Sequence, residues 1–182
     1  MKAEPPPDRR KFAHAWDEIG YLHDKLLYWL YHRGNVAKSR HYAARLAPLL
    51  SSVTSDHEAI FGEECWSLVY ETKGDLPKAI VHRENEIRLI RRLYEISSGT
   101  RHEEVALNSY GYADLRDRLD LLAVLYHDSG HLEKALNTLR ESRQLCRRHG
   151  VKFDAATILR EYQHEKRDAS RKTKKMPIVA GA

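Results

Sequence analysis

The chain has 182 residues, 42% hydrophobic and 31% charged, with a net charge of +5. That is long enough for one domain with a real core. Nine Gly and six Pro are too few for a turn-rich all-β chain, and no apolar run reaches the roughly 18 residues of a membrane span. The opening run Met-Lys-Ala-Glu-Pro-Pro-Pro has no apolar leader segment, so the expected compartment is the cytoplasm.

Residues 1–8 are Pro-rich and expected to be disordered. An amphipathic helix is expected from about Arg9 to His32, with Phe12, Trp16, Ile19, Leu22 or His23, Leu26 and Leu30 on one stripe. Gly34 ends it. A second helix follows over Val36–Leu50, with Tyr42, Leu46 and Leu49 or Leu50 on one side, and 51–55 reads as a linker. The third spans about Asp56 to Lys73 and stops at Gly74. Pro77 suits the first turn of a fourth, running to about Ile96, because an N–H is not needed there.

The segment 97–112 reads as an insertion, with Thr100 and Glu103 at capping-box spacing. A helix over about Ala113–Asp128 carries Leu115, Leu119, Leu122 and Tyr126 on one stripe, and Gly130 closes it. The next runs from Leu132 to His149 and ends at Gly150, and a last helix covers about Ala155–Lys166. Residues 165–175 hold six basic and two acidic side chains, so most of the net charge belongs to a tail. Residues 167–182 are expected to be disordered, leaving 9–166 as the single folded domain.

Three stretches look alike: Leu30 to Ser39, Val69 to Ala79 and Leu125 to Ala135. Each has a Tyr near a Gly (Tyr31 and Gly34, Tyr70 and Gly74, Tyr126 and Gly130). Each then has a polar residue, and later a Lys followed by a small residue, Ser39, Ala79 or Ala135. The Gly supplies a left-handed turn, the polar residue a cap, and the small residue allows close helix approach. In the first stretch the Tyr is displaced by one position, and four residues past the end of the second stands Arg83, where the third is followed by the apolar Leu139.

These residues resemble the tetratricopeptide repeat, whose helix pairs carry a large residue, a small residue and a Tyr before a Gly-containing turn and an Ala after it. The best copy has Leu122, Ala123, Tyr126, Gly130, Ala135 and Leu139 in register. The glycines lie 40 and 56 residues apart against about 34 in the family, so the resemblance implies stacked helix pairs more than a regular array. It implies an all-α fold of about three antiparallel pairs plus a C-terminal helix.

It also implies that the first helix of each pair lines a concave groove, which selects Tyr21, Asp24, Tyr28 and His32, then Phe61, Glu64, Leu68 and Glu71, then Asp117, Asp120, Val124, His127 and Asp128. That set is aromatic and acidic with no Lys or Arg, suited to a basic or amphipathic peptide and unlike the carboxylate clamp of chaperone-binding relatives. The same pattern is met by ordinary surface acids.

The expected function is a protein-interaction scaffold rather than an enzyme. No nucleophile elbow, phosphate loop or paired-Cys motif occurs, and no metal or other cofactor is expected. Glu161 and His164 read as a solvated pair, and Cys65 and Cys146 as buried reduced thiols. Arg83, Glu84, Asn85, Glu86, Arg88, Arg91 and Arg92 read as a solvated face with pairs such as Glu84–Arg88. The alternative is a nucleic-acid-associated protein using the basic tail and an Arg83–Arg92 face. Oligomerisation through exposed Trp16 or Trp29 is a further reading.

Overall fold

The computed structural model describes residues 12–52, 56–97 and 112–175. They are helical throughout, with no strand among them, and the helices pack in adjacent pairs. The Pro-rich start and nearly all of the 97–112 insertion lie outside the described residues. The chain divides after Asp75 into two compact units.

The first unit contains α1 (Ala15–Leu27), which runs on through a π turn at Tyr28–His32. α2 (Val36–Leu46) tightens into a 3-10 turn over Ala47–Ser52. Pro48 lies in this turn and has no N–H to donate, so the α pattern cannot continue through it. α3 spans Asp56–Lys73. α2 packs on both α1 and α3, and α1 touches α3. Ile19, Leu22, Leu26, Ala43, Leu46, Leu50, Cys65, Leu68 and Val69 form the core. Each of the larger aliphatic side chains contributes about 1.5–3 kcal/mol on burial.

The second unit contains α4 (Leu76–Ser97), α5 (Tyr112–Asp128), α6 (Leu132–Arg148) and α7 (Ala156–Lys175). α4 packs on α5, α5 and α6 form the closest pair, and α7 rests on α6. The expected stripe Leu115, Leu119, Leu122 and Tyr126 is buried, as are Leu136, Leu139, Leu145 and Cys146 of α6.

Gly74, Gly130 and Gly150 end their helices at positive φ of 77°, 81° and 64°. Each turn closes with the same two bonds: Gly74 N–H to Glu71 O and Asp75 N–H to Tyr70 O in the first, with counterparts from Gly130 and His131, and from Gly150 and Val151. Gly34 also sits at positive φ, 58°, but there Asn35 N–H reaches back six residues to Trp29 O, 2.8 Å away. The π turn absorbs one extra residue. Trp29, five residues before Gly34, therefore takes the position that Tyr70 and Tyr126 hold four residues before their glycines.

The residues after these turns behave as local chemistry requires. Asn35 Oδ1 caps α2 by accepting from Lys38 N–H at 3.0 Å. Ser39, Ala79 and Ala135 are all at 0% exposure. Lys38 Nζ lies 3.8 Å from the centre of the Trp29 ring, and Lys134 Nζ lies 5.2 Å from that of Tyr126. Trp29 is buried and Trp16 half-buried, so neither is an exposed aromatic available for oligomerisation.

Two expectations about charge are corrected. α7 does not end near Lys166 but continues through the basic segment to Lys175. Its second half holds no Gly or Pro, and Asp168 lies 3.1 Å from His164 Nδ1 and 3.8 Å from Arg171 Nη1 on neighbouring turns. The Arg83–Arg92 stretch is a solvated face only in part: Glu84, Arg88 and Arg92 are exposed, but Arg83 and Glu86 are not. Arg83 and Glu86 are both at 0% exposure, and Glu86 accepts from Arg83 Nη1 and from Arg118 Nε of α5, each at 2.5 Å. Arg83 Nε and Nη2 are buried with no hydrogen-bond partner. Glu84 accepts from Tyr126 Oη, Arg88 donates to Asn85, and Arg91 pairs with Glu141. The Arg83 departure seen in the sequence is thus a buried charge network.

Candidate functional site

In the first unit α1 meets α3 along a seam, and of the groove residues expected from the sequence Phe61, Glu64 and Glu71 of α3 make contacts across it. α1 brings Trp16 and His23, two turns apart on one face, to Phe61, with Asp24 beside His23, and the π turn adds Tyr31. Tyr21 packs with Phe12, and Tyr28 with Trp29 and His32. Phe61 of α3 forms the floor, edge-on to His23 with ring centres 4.8 Å apart and tilted against Trp16 at 6.1 Å. His23 Nε2 lies 3.4 Å from Glu64 Oε1, with both side chains buried. Nδ1 of the same ring lies 3.3 Å from the exposed Asp24 carboxylate. At the other end, Tyr31 Oη donates to Glu71 Oε2 at 2.7 Å.

The seam therefore has an aromatic floor, a carboxylate beneath it at Glu64 and carboxylates at its edge at Asp24 and Glu71. His32 is exposed, and Tyr21 and Tyr28 are half-buried. Leu68 does not line an open surface: it shares a side of α3 with Phe61, two turns away, but at 0% exposure it belongs to the core with Leu22, Leu26 and Leu46. Lys25 Nζ sits 5.3 Å from the centre of the Tyr21 ring, so a cation that the sequence pattern left out already neighbours the aromatic edge.

In the second unit, Asp117, Asp120, Val124, His127 and Asp128 follow one side of α5. Asp117 is exposed and accepts from Arg116 Nε at 2.9 Å. That hydrogen bond raises the Arg116 pKa against the opposing effect of its own burial. Asp120 is half-buried, and its Oδ1 has no hydrogen-bond partner. Burial pushes its carboxyl up, with Ser142 and Arg116 acting in the other direction.

The end of this face is covered by α7. The His127 ring stacks on Tyr162 with centres 4.0 Å apart and planes 5° from parallel, and Nε2 lies 2.8 Å from Glu165 Oε2. Burial and the surrounding carboxylates Asp128, Glu165 and Glu161 push the Tyr162 hydroxyl up to about 12. Lys166 pairs with Glu133 of α6 nearby. His127 and Asp128 are thus occupied by the chain's own last helix. Glu161, His164, Glu165, Asp168 and Ala169 of α7 line an open recess of about 620 Å³. Glu161 and His164 do not act as a pair, since His164 turns to Asp168.

Sequence reasoning missed Trp16 and His23 as seam residues, and Tyr31, Tyr162 and Glu165 as contact residues. His23 was legible as an alternative to Leu22 on the buried stripe. Tyr31 and Glu71 are 40 residues apart, and His127 and Glu165 are 38 apart, so no local signal joins them. Both cysteines are buried and neither is in a disulfide, and Cys146 is pushed up in pKa by its burial. Among the described residues no group of three or more His, Cys, Asp or Glu side chains gathers as a metal site, and no helix is long and apolar enough to cross a membrane.

Comparison with family models, with curated proteins and with solved structures returns no match to this chain.

Proposed function

We propose that this protein is an interaction scaffold of tetratricopeptide-like helix pairs that docks a basic or amphipathic peptide on the α1–α3 seam. The observation that carries the reading is the seam itself, an aromatic floor of Phe61 edge-on to His23, rimmed by the carboxylates of Asp24 and Glu71. An Arg or Lys side chain entering there gains an aromatic face and a carboxylate together. The glycine turns at positive φ and the buried small residues at 39, 79 and 135 support the helix-pair part of the reading.

Fluorescence anisotropy with basic amphipathic, neutral and acidic helical peptides of equal length tests it. The basic peptide binds best, and Asp24→Lys weakens it about tenfold or more, since a like charge at the rim costs more than a kcal/mol. Equal affinity for the acidic peptide, or no effect of Asp24→Lys, overturns the proposal.

A further inference from the structure

α7 is longer than its packing requires. Its buried side chains end at Tyr162, yet the helix continues to Lys175, and no residue from Gln163 to Arg171 is buried. Around this helix the charges are sorted. Glu165 turns to His127, and Lys166 turns to Glu133. On another side, Arg160, His164, Arg167 and Arg171 recur at steps of four, three and four residues, which makes one straight stripe, and all four are exposed. Its length is about 16 Å at 1.5 Å per residue. Arg160 makes a 3.3 Å bond to a carbonyl of its own helix, and Asp168 touches the stripe twice, 3.1 Å from His164 Nδ1 and 3.8 Å from Arg171 Nη1.

We infer that this stripe is a second interaction surface, for the phosphate backbone of a nucleic acid. The stripe offers three guanidinium groups, whose forked donors match phosphate oxygens. It carries no apolar side chain, whereas a protein interface needs a buried apolar or aromatic anchor for most of its energy. A membrane surface is disfavoured for the same reason: a helix that lies in the lipid interface inserts an apolar face, and the large apolar residues of α7 all lie in its first two turns, with Leu159 and Tyr162 buried in the unit and Ile158 half-buried. The Arg83–Arg92 stretch plays no part, because Arg83 is buried.

The full chain is titrated against a fluorescein-labelled 20-base-pair duplex DNA at 50 and 200 mM salt, beside the variant R160Q/R167Q/R171Q and a control, R88Q/R92Q. Gln keeps the helix propensity of Arg, and circular dichroism verifies that the helix content is unchanged. Three phosphate contacts at a slope of about −0.9 each predict a loss of about 40-fold in wild-type affinity between the two salt concentrations. The triple variant binds weakly at 50 mM and loses most of that salt dependence, while R88Q/R92Q behaves as wild type. Absence of duplex binding at 50 mM salt overturns the inference. So does an equal loss in R88Q/R92Q, which marks a general charge effect, or a polyglutamate 20-mer binding as tightly as the duplex, which marks an acidic protein partner.

Discussion

His127 and Tyr162 stack ring on ring, 4.0 Å apart and within 5° of parallel, and this contact joins α5 to α7. The imidazole is also held by Glu165 at 2.8 Å and by Asp128 at 3.3 Å. Burial lowers the His127 pKa, but the hydrogen bonds that the imidazole donates to these two carboxylates, with their charge, outweigh it and the net shift is upward. A folded pKa above the unfolded value of about 6.5 means that this stabilisation is full below that value and is lost as pH rises through the folded pKa. Amide exchange of α7 should therefore be slower at pH 6 than at pH 8 after correction for intrinsic rates. In His127→Phe, which keeps a stacking ring, that step should vanish. A step of unchanged size would assign it to another group.

Glu86 is the hinge of the buried charge network in the second unit. Glu86→Ala strands the Arg83 guanidinium at 0% exposure and should cost about 3–5 kcal/mol in urea unfolding. Replacing the pair together, Arg83→Met with Glu86→Leu, should be far milder, because no uncompensated charge stays fully buried; Arg118 keeps some exposure and can reach solvent. Similar losses for the two variants would mean that packing, not charge, governs the site.

Two glycines should respond in opposite directions to alanine. Gly130 has φ 81° and Gly20 lies inside α1, and a Cβ built on either meets nothing within 4 Å. Gly130→Ala should lose about 1–2 kcal/mol from the left-handed backbone alone. Gly20→Ala should gain about 0.5–1 kcal/mol from restricted unfolded-chain freedom and better helix propensity. Thermal unfolding of both variants measures the pair.

Lys38 and Trp29 give a test of the cation over the ring. Lys38→Gln should cost about 0.5–1 kcal/mol in the wild type and almost nothing once Trp29 is Leu. An additive double-mutant cycle would remove the contact as an energetic feature.

The helices were legible in the sequence because their causes are local. Period 3.6 in Leu115, Leu119, Leu122 and Tyr126 set a buried stripe, and the glycines at 34, 74, 130 and 150 set the stops. The end of α7 was misread because basic composition resembles disorder, while its residue types are good helix formers with pairing acids one turn away. The π turn was not legible in the sequence, where Trp29 and not Tyr31 holds the position of Tyr70 and Tyr126.

The candidate site was legible in outline but not in its contacts. Helical register put Tyr21, Asp24 and Tyr28 on α1 and Phe61 and Glu71 on α3. It could not separate Leu68 from them, since Leu68 shares a side of α3 with Phe61 and only its burial sets it apart. By itself the sequence determined which segments are helical and where the glycine turns stop them, because those depend on residues within a few positions of each other. Only the tertiary structure decided which charges are buried, as at Arg83 and Glu86, and which helix covers His127. Those outcomes depend on what packs against each side chain, and the partners, Arg118 and Tyr162, lie 32 and 35 residues beyond Glu86 and His127.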